Sequence, residues 1–139
     1  ALACGLAQRV LDESVAYARE RRQFGSPIGD FQLVQAMLAD SQAELYAGWS
    51  MVQDCARRYD ARPAGRRDPD VSMRASCAKL FCSEMAGRVA DRGVQLHGGA
   101  GYINDCKVER FYRDVRLLRL YEGTSQIQQL IIGRALVGD

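Results

Sequence analysis

The sequence predicts an all-α protein, an up-and-down antiparallel four-helix bundle with a short extra helix, and three features carry that prediction. Apolar residues recur at intervals of three and four through long segments of the chain, which is the period of one helix face. The segments are parted by runs rich in Gly, Pro and charge, FGSPIGD and DARPAGRRDPD among them, and such runs break helices. No stretch within the segments alternates apolar and polar residues as a half-buried strand does. Long helices joined by short or moderate connections pack most simply as antiparallel neighbours.

The first helix is expected over residues 1 to about 22, with Leu2, Leu6, Val10, Leu11, Val15 and Ala18 on one stripe. It should end at FGSPIGD, where Gly25, Gly29 and Pro27 make a turn. From Phe31 to about Tyr59 the residues Val34, Met37, Leu38, Leu45, Trp49, Val52, Cys55 and Tyr59 hold the period of a second helix. DARPAGRRDPD reads as a polar linker that ends with Asp68 as N-cap and Pro69 at the first helical position.

The third helix follows, with Val71, Ala75, Ala78, Cys82, Met85, Val89 and Leu96 as its stripe. GGAGYIND is a Gly-rich loop, KVERFYRDV the short extra helix and RLLRLYEG an apolar connector. The last helix starts near Thr124 or Ser125. Ser125 and Gln128 fit a capping box, and Ile127, Leu130, Ile131, Ala135 and Leu136 are expected to form the buried face.

The 139 residues, 47% hydrophobic and 26% charged, suit one domain with one core. A formal charge of +2 with dispersed basic residues excludes a nucleic-acid footprint. No apolar run approaches the roughly 18 to 20 residues of a membrane span, and ALACGLAQR lacks the pattern of a signal peptide, so a soluble protein is expected. The five cysteines form no Cys-x-x-Cys pair and His97 is the only histidine, which supports neither a zinc site nor a disulfide framework. Reduced thiols in a cytosolic type of compartment are the expectation. The chain begins in mid-helix without a cap, so it is read as a piece of something larger.

Three places hold residues that can do chemistry. Glu122, in LYEGTSQI, is either a loop charge near a helix N-terminus, favoured there by roughly 0.3 to 1 kcal/mol, or a general base beside a pocket. Arg21 and Arg22 suit a helix C-terminus through the dipole, and equally suit phosphate through the guanidinium fork. Gln95-Leu96-His97-Gly98-Gly99 is not a GxGxxG after a strand, so no dinucleotide-binding fold follows, and its glycines can be a C-cap and loop.

Taken together, ERRQFG at 20 to 25, QLHGGAGY at 95 to 102, ERFYRDVR at 109 to 116 and YEGTSQIQ at 121 to 128 resemble the acyl-CoA dehydrogenase family, over the whole chain and in family order. The resemblance is to the C-terminal helical domain of those FAD-dependent enzymes, so residues 1–139 are expected to be that domain, without the N-terminal helical and middle β-domains. It implies that Glu122 takes the α-proton of an acyl-CoA thioester while a hydride passes from the β-carbon to FAD, giving a trans-2-enoyl-CoA. Branches that carry the base on the first helix of this domain have a small residue in its place, and Glu122 argues against them.

By the same resemblance Gly123 lies against substrate, Arg134 lies near the CoA portion, and Thr124, Ser125 and Gln126 approach the cofactor. Arg21, Phe24, Gln32, Gln95, Leu96, His97, Gly98 and Gly99 are implied to serve the FAD of a neighbouring subunit, with His97 in packing or in a hydrogen bond to it. Ala100, Gly101 and Tyr102 are expected to line the deep end of the acyl pocket. A homodimer or homotetramer, an electron-transferring flavoprotein as acceptor, and a bacterial cytoplasm or mitochondrial matrix are further implications. An acyl-CoA oxidase with the same base, or a non-catalytic helical oligomerisation module, are the alternatives. This segment alone is expected to be inactive.

Overall fold

Helical periodicity resolves into five helices in the computed structural model, which describes residues 1–63, 66 and 68–138. α1 spans Leu2–Glu20, α2 Gln32–Ala61, α3 Pro69–His97, α4 Lys107–Leu117 and α5 Ser125–Val137. The long helices α1, α2, α3 and α5 form the bundle, and α4 is the short extra one. α3 is central and packs against each of the other four. Its start follows the expected chemistry: the Asp68 side chain accepts from the N–H groups of Asp70 at 2.9 Å and Val71 at 3.4 Å, with Pro69 in the first turn. Part of the linker before it, at Ala64, Gly65 and Arg67, lies outside the described residues, as does Asp139.

The core lies where α1, α2 and α3 meet. Cys4, Ala7, Val10 and Leu11 of α1 close on Leu45 of α2 and on Cys82, Met85, Ala86, Val89 and Ala90 of α3, with Val115 and Leu118 sealing one side. α1 and α3 cross closely enough that a Cβ on Gly93 would lie 2.5 Å from Val10 Cγ1, so only glycine fits the crossing. Ion pairs cross-link the elements at the surface. Glu44 of α2 accepts from Arg88 and Arg92 of α3, each at 3.0 Å, and Glu13 of α1 accepts from Lys107 of α4 at 3.0 Å.

Four expectations need correction. FGSPIGD holds a small antiparallel hairpin, β1 Arg22–Gln23 with β2 Ser26–Pro27, pairing Arg22 with Pro27 and Gln23 with Ser26. Its two-residue turn is left-handed at both positions, Phe24 at φ 51° and Gly25 at φ 86°, as the twist of a tight hairpin requires. GGAGY at 98–102 winds into a 3₁₀ turn instead of an open loop. Leu2 and Tyr59, placed in the apolar stripes, are 62% and 55% exposed because they sit at helix ends beyond the packed crossing.

The fourth correction concerns α5. Ile127, Leu130, Ile131, Ala135 and Leu136 face outward, and the buried residues of the helix are Ser125 and Gln128. Periodicity sorts residues onto a common face but does not say which face meets the core. No helix among the described residues is long and apolar enough to cross a membrane.

Candidate functional site

The loop between α4 and α5 begins as a tightening of α4. Leu120 N–H bonds the Leu117 carbonyl at 2.9 Å and Tyr121 N–H bonds the same carbonyl at 3.2 Å. Glu122 and Gly123 then both take left-handed conformations, with φ 53° and 85°, and turn the chain into α5. Glycine adopts this freely. A glutamate does so at a cost of about 1–2 kcal/mol, and strain of this kind collects at functional sites. A Cβ on Gly123 would also fall 2.6 Å from Gln128 Nε2.

Buried and half-buried side chains hold the turn. Lys79 Nζ donates to the Gly123 carbonyl at 2.6 Å, and Gln128 Nε2 donates to the Glu122 carbonyl at 3.2 Å and reaches that of Gly123 at 3.5 Å. Glu84 of α3 accepts from Ser125 Oγ at 2.6 Å and from Arg119 Nη1 at 3.2 Å, clasping both sides of the loop. Thr124 is the N-cap of α5, its Oγ1 accepting from Ile127 N–H at 3.3 Å. The expected Ser125–Gln128 capping box is therefore displaced by one residue, and Gln128 turns back to carbonyls instead of an N–H.

Glu122 itself is exposed, and its carboxylate makes no hydrogen bond among the described residues. It lines a largely apolar cavity of about 340 Å³ whose wall also includes Leu2, Val52, Cys82 and Leu118, with Lys79 and Ser83 as polar members. A free carboxylate beside an apolar hollow, on a tethered turn, is an arrangement suited to taking a proton from an apolar ligand. Burial pulls the Lys79 ammonium below the ordinary lysine range, with the charge of Glu84 opposing that shift. A larger hollow of about 680 Å³ between α3 and α4 is lined by Arg88, Arg92, Arg113, Arg116 and Arg119, and Glu122 is not among its walls.

The other expected residues gather at the far end of the bundle. Arg21 follows α1, Phe24 tips the hairpin and is 94% exposed, Gln32 opens α2, and Gln95, Gly98 and Gly99 lie exposed where α3 ends. The glycines have open space where side chains would be. Leu96 and His97 are buried. His97 Nδ1 lies 2.7 Å from the Gly93 carbonyl and its ring stacks on Tyr17 at 4.2 Å between centroids.

Ala1 to Ala3 line the Glu122 cavity while Arg21 lies just past the other end of α1. Nineteen helical residues separate the two groups by about 28 Å at ~1.5 Å per residue. One chain does not bring them together. Ala100, Gly101 and Tyr102 lie in the 3₁₀ turn that follows α3, with Gly101 buried against His97 and Val94.

The Ser125 hydroxyl is committed to Glu84 and its N–H to the Arg119 carbonyl at 3.3 Å, so both of its donors fix the loop. Gln126 is exposed at the helix start, and Arg134 is exposed in the last turn of α5.

Lys79, Glu84 and Arg119 are the members of the site that sequence reasoning missed. A signal existed for one of them: Lys79 is the sole charge in ASCAKLFCS, a run of small and apolar residues on the stripe of α3.

Comparison with known proteins agrees with this architecture. Residues 1–137 match the family model described as acyl-CoA dehydrogenase, C-terminal domain. The chain is 45% identical over 139 residues to a Bacillus subtilis (strain 168) protein named "Probable acyl-CoA dehydrogenase YngJ", covering 99% of this chain and 34% of that protein. It is 43% identical over 133 residues to "Caffeyl-CoA reductase-Etf complex subunit CarC" of Acetobacterium woodii, covering 96% and 34%.

Among solved structures, butyryl-CoA dehydrogenase from Megasphaera elsdenii superposes with a TM-score of 0.89 at 32% identity, over 97% of this chain and 34% of that one. The chain thus spans about a third of the length of the relatives it matches. The matches cover nearly every residue, and this chain belongs to the acyl-CoA dehydrogenase family, as its C-terminal domain.

Proposed function

We propose that the chain is the base-bearing domain of a longer flavoprotein that oxidises acyl-CoA thioesters between the α- and β-carbons, with Glu122 as the base. The observation that carries the reading is the left-handed Glu122, held on a tethered turn with its carboxylate free at a largely apolar hollow. Glu122 removes the α-proton. The β C–H bond breaks with its electron pair leaving as hydride, and the α,β double bond forms in the trans sense. FAD, when bound, supplies the two-electron acceptor for that hydride.

The residues at the hairpin end fit such a group. An exposed arginine, two exposed glutamines, an aromatic ring standing free on a rigid turn and side-chain-free backbone at Gly98 and Gly99 match a diphosphate joined to planar rings. Because that end lies about 28 Å from Glu122, the two sets serve one cofactor only if two copies of the protein contribute. A homodimer or a dimer of dimers is part of this proposal. The outward apolar face of α5 supports this reading, since such a face is normally covered by further protein. Screening of Glu122 from water is likewise left to the bound acyl chain and to the remaining two thirds of the protein. An electron-transferring flavoprotein is the proposed acceptor, in keeping with the name of the Acetobacterium woodii relative.

The name of that relative also favours a second reading, in which the same residues work in reverse. Protonated Glu122 then gives its proton to the α-carbon of an enoyl-CoA as the β-carbon receives hydride. One experiment tests both. The full-length protein, purified with its flavin, is mixed anaerobically with a straight-chain acyl-CoA, and chemically reduced protein is mixed with the enoyl-CoA. Bleaching in the first and recolouring in the second are expected, with both lost in Glu122→Gln. Turnover of Glu122→Gln within about tenfold of wild type would sink the assignment, since a positioned base is worth roughly 10²- to 10⁴-fold. Return of colour on admitting air to the bleached protein would identify an oxidase.

A further inference from the structure

We infer that Lys79 is a positioning residue for Glu122: its ammonium, donating to the Gly123 carbonyl, locks the left-handed turn on which the carboxylate is mounted. The inference rests on the reading of Glu122 as the base.

Lys79 lies half-buried on α3, the central helix of the bundle, and makes no ion pair among the described residues. The nearby acid, Glu84, is already occupied by Arg119 and Ser125. An ammonium drawn out of water needs a partner, and the one Lys79 has is the Gly123 carbonyl at 2.6 Å. A long charged side chain therefore ends on the carbonyl of the residue after the base, 44 residues away in sequence.

The other bond to that carbonyl is the longer of the two: Gln128, on α5, donates to the Glu122 carbonyl at 3.2 Å and reaches that of Gly123 only at 3.5 Å. The two bonds of Glu84 tether Arg119 and Ser125, three residues to either side of Glu122. Lys79 is the donor by which α3, the central helix, reaches the left-handed pair itself. Without it the Gly123–Thr124 peptide loses its tie to α3, and Glu122 can relax from φ 53° towards the negative values that non-glycine residues prefer. The carboxylate would then move by an ångström or more. A displacement of that size in a reacting group costs on the order of 100-fold in rate.

The test uses the full-length flavoprotein carrying Lys79→Met or Lys79→Arg, with Glu122→Gln as control. Flavin content, the rate of bleaching at saturating acyl-CoA, the half-saturating acyl-CoA concentration and wash-in of solvent deuterium at the α-carbon are measured. Lys79→Met is expected to keep its flavin and to bind acyl-CoA within about threefold of wild type. Bleaching and α-exchange should fall together by about 10- to 100-fold, and Lys79→Arg, which keeps a cationic donor, should recover most of the loss.

Wild-type bleaching in Lys79→Met, or a loss confined to acyl-CoA affinity, would overturn the inference. So would an Arg variant as slow as the Met variant while holding its flavin. If Lys79→Met does not fold, Lys79→Gln takes its place with the same outcomes. Activity retained in Glu122→Gln would remove the base and the positioning role together, whereas an inactive Glu122→Gln beside an unimpaired Lys79→Met would remove the positioning role alone.

Discussion

Ser125 and Glu84 share a hydrogen bond of 2.6 Å that joins the first turn of α5 to the middle of α3. The other oxygen of the same carboxylate receives Arg119 at 3.2 Å, so one acid clasps the loop on both sides of Glu122. Ser125 is buried, and its hydroxyl donates to a charged acceptor, the stronger class of hydrogen bond.

Ser125→Ala should therefore destabilise the protein that carries this domain by about 1–2 kcal/mol, the lower part of the range for bonds to charged groups because Glu84 keeps some contact with water. Urea denaturation of the two proteins measures it. A difference below about 0.3 kcal/mol would mean that the clasp contributes nothing net.

Glu122→Gly should separate strain from chemistry. Glycine accepts φ 53° without penalty, so the turn gains about 1 kcal/mol from relief of the left-handed glutamate, partly offset by the greater freedom of glycine in the unfolded chain. The variant is expected to match or slightly exceed wild-type stability while bleaching by acyl-CoA is abolished. A clear loss of stability would show that the glutamate is held there for packing.

Acidification should weaken the seat of α4. The Lys107 hydrogen bond to Glu13, aided by the charges of Lys107 and Arg9, holds the Glu13 carboxyl below the usual glutamate range. A carboxyl whose folded pKa is lowered contributes stability above its unfolded pKa of about 4.3, and that contribution is lost as pH falls through the lower folded value. Glu13→Gln should reduce stability slightly at pH 7 and flatten the decline of stability below about pH 4.3. Parallel acid-denaturation curves for the two proteins would refute this.

The far end of the bundle illustrates what a local reading misses. Strands of two residues are too short to alternate, and nothing in a phenylalanine announces φ 51°, so the hairpin at 22–27 was invisible although its Gly25 was not. The expected cluster of Gln95 to Gly99 divided for a similar reason. The period of α3 runs to its last residue, which carries Leu96 and His97 inward and leaves Gln95, Gly98 and Gly99 outside.

What the sequence by itself determined is whatever acts over one or two helical turns: the helices, the cap at Asp68 and Pro69, the break before α2, and an acid followed by glycine at the entrance to α5. These follow from backbone sterics and from a period of 3.6, which neighbouring residues settle among themselves. Only the tertiary structure decided that Glu122 is left-handed, that Lys79 and Glu84 reach its loop across 44 and 41 residues, and that the apolar face of α5 turns outward. Each of those depends on which helix faces comes to lie against α3, and that is a property of the packed bundle that no local run of residues encodes.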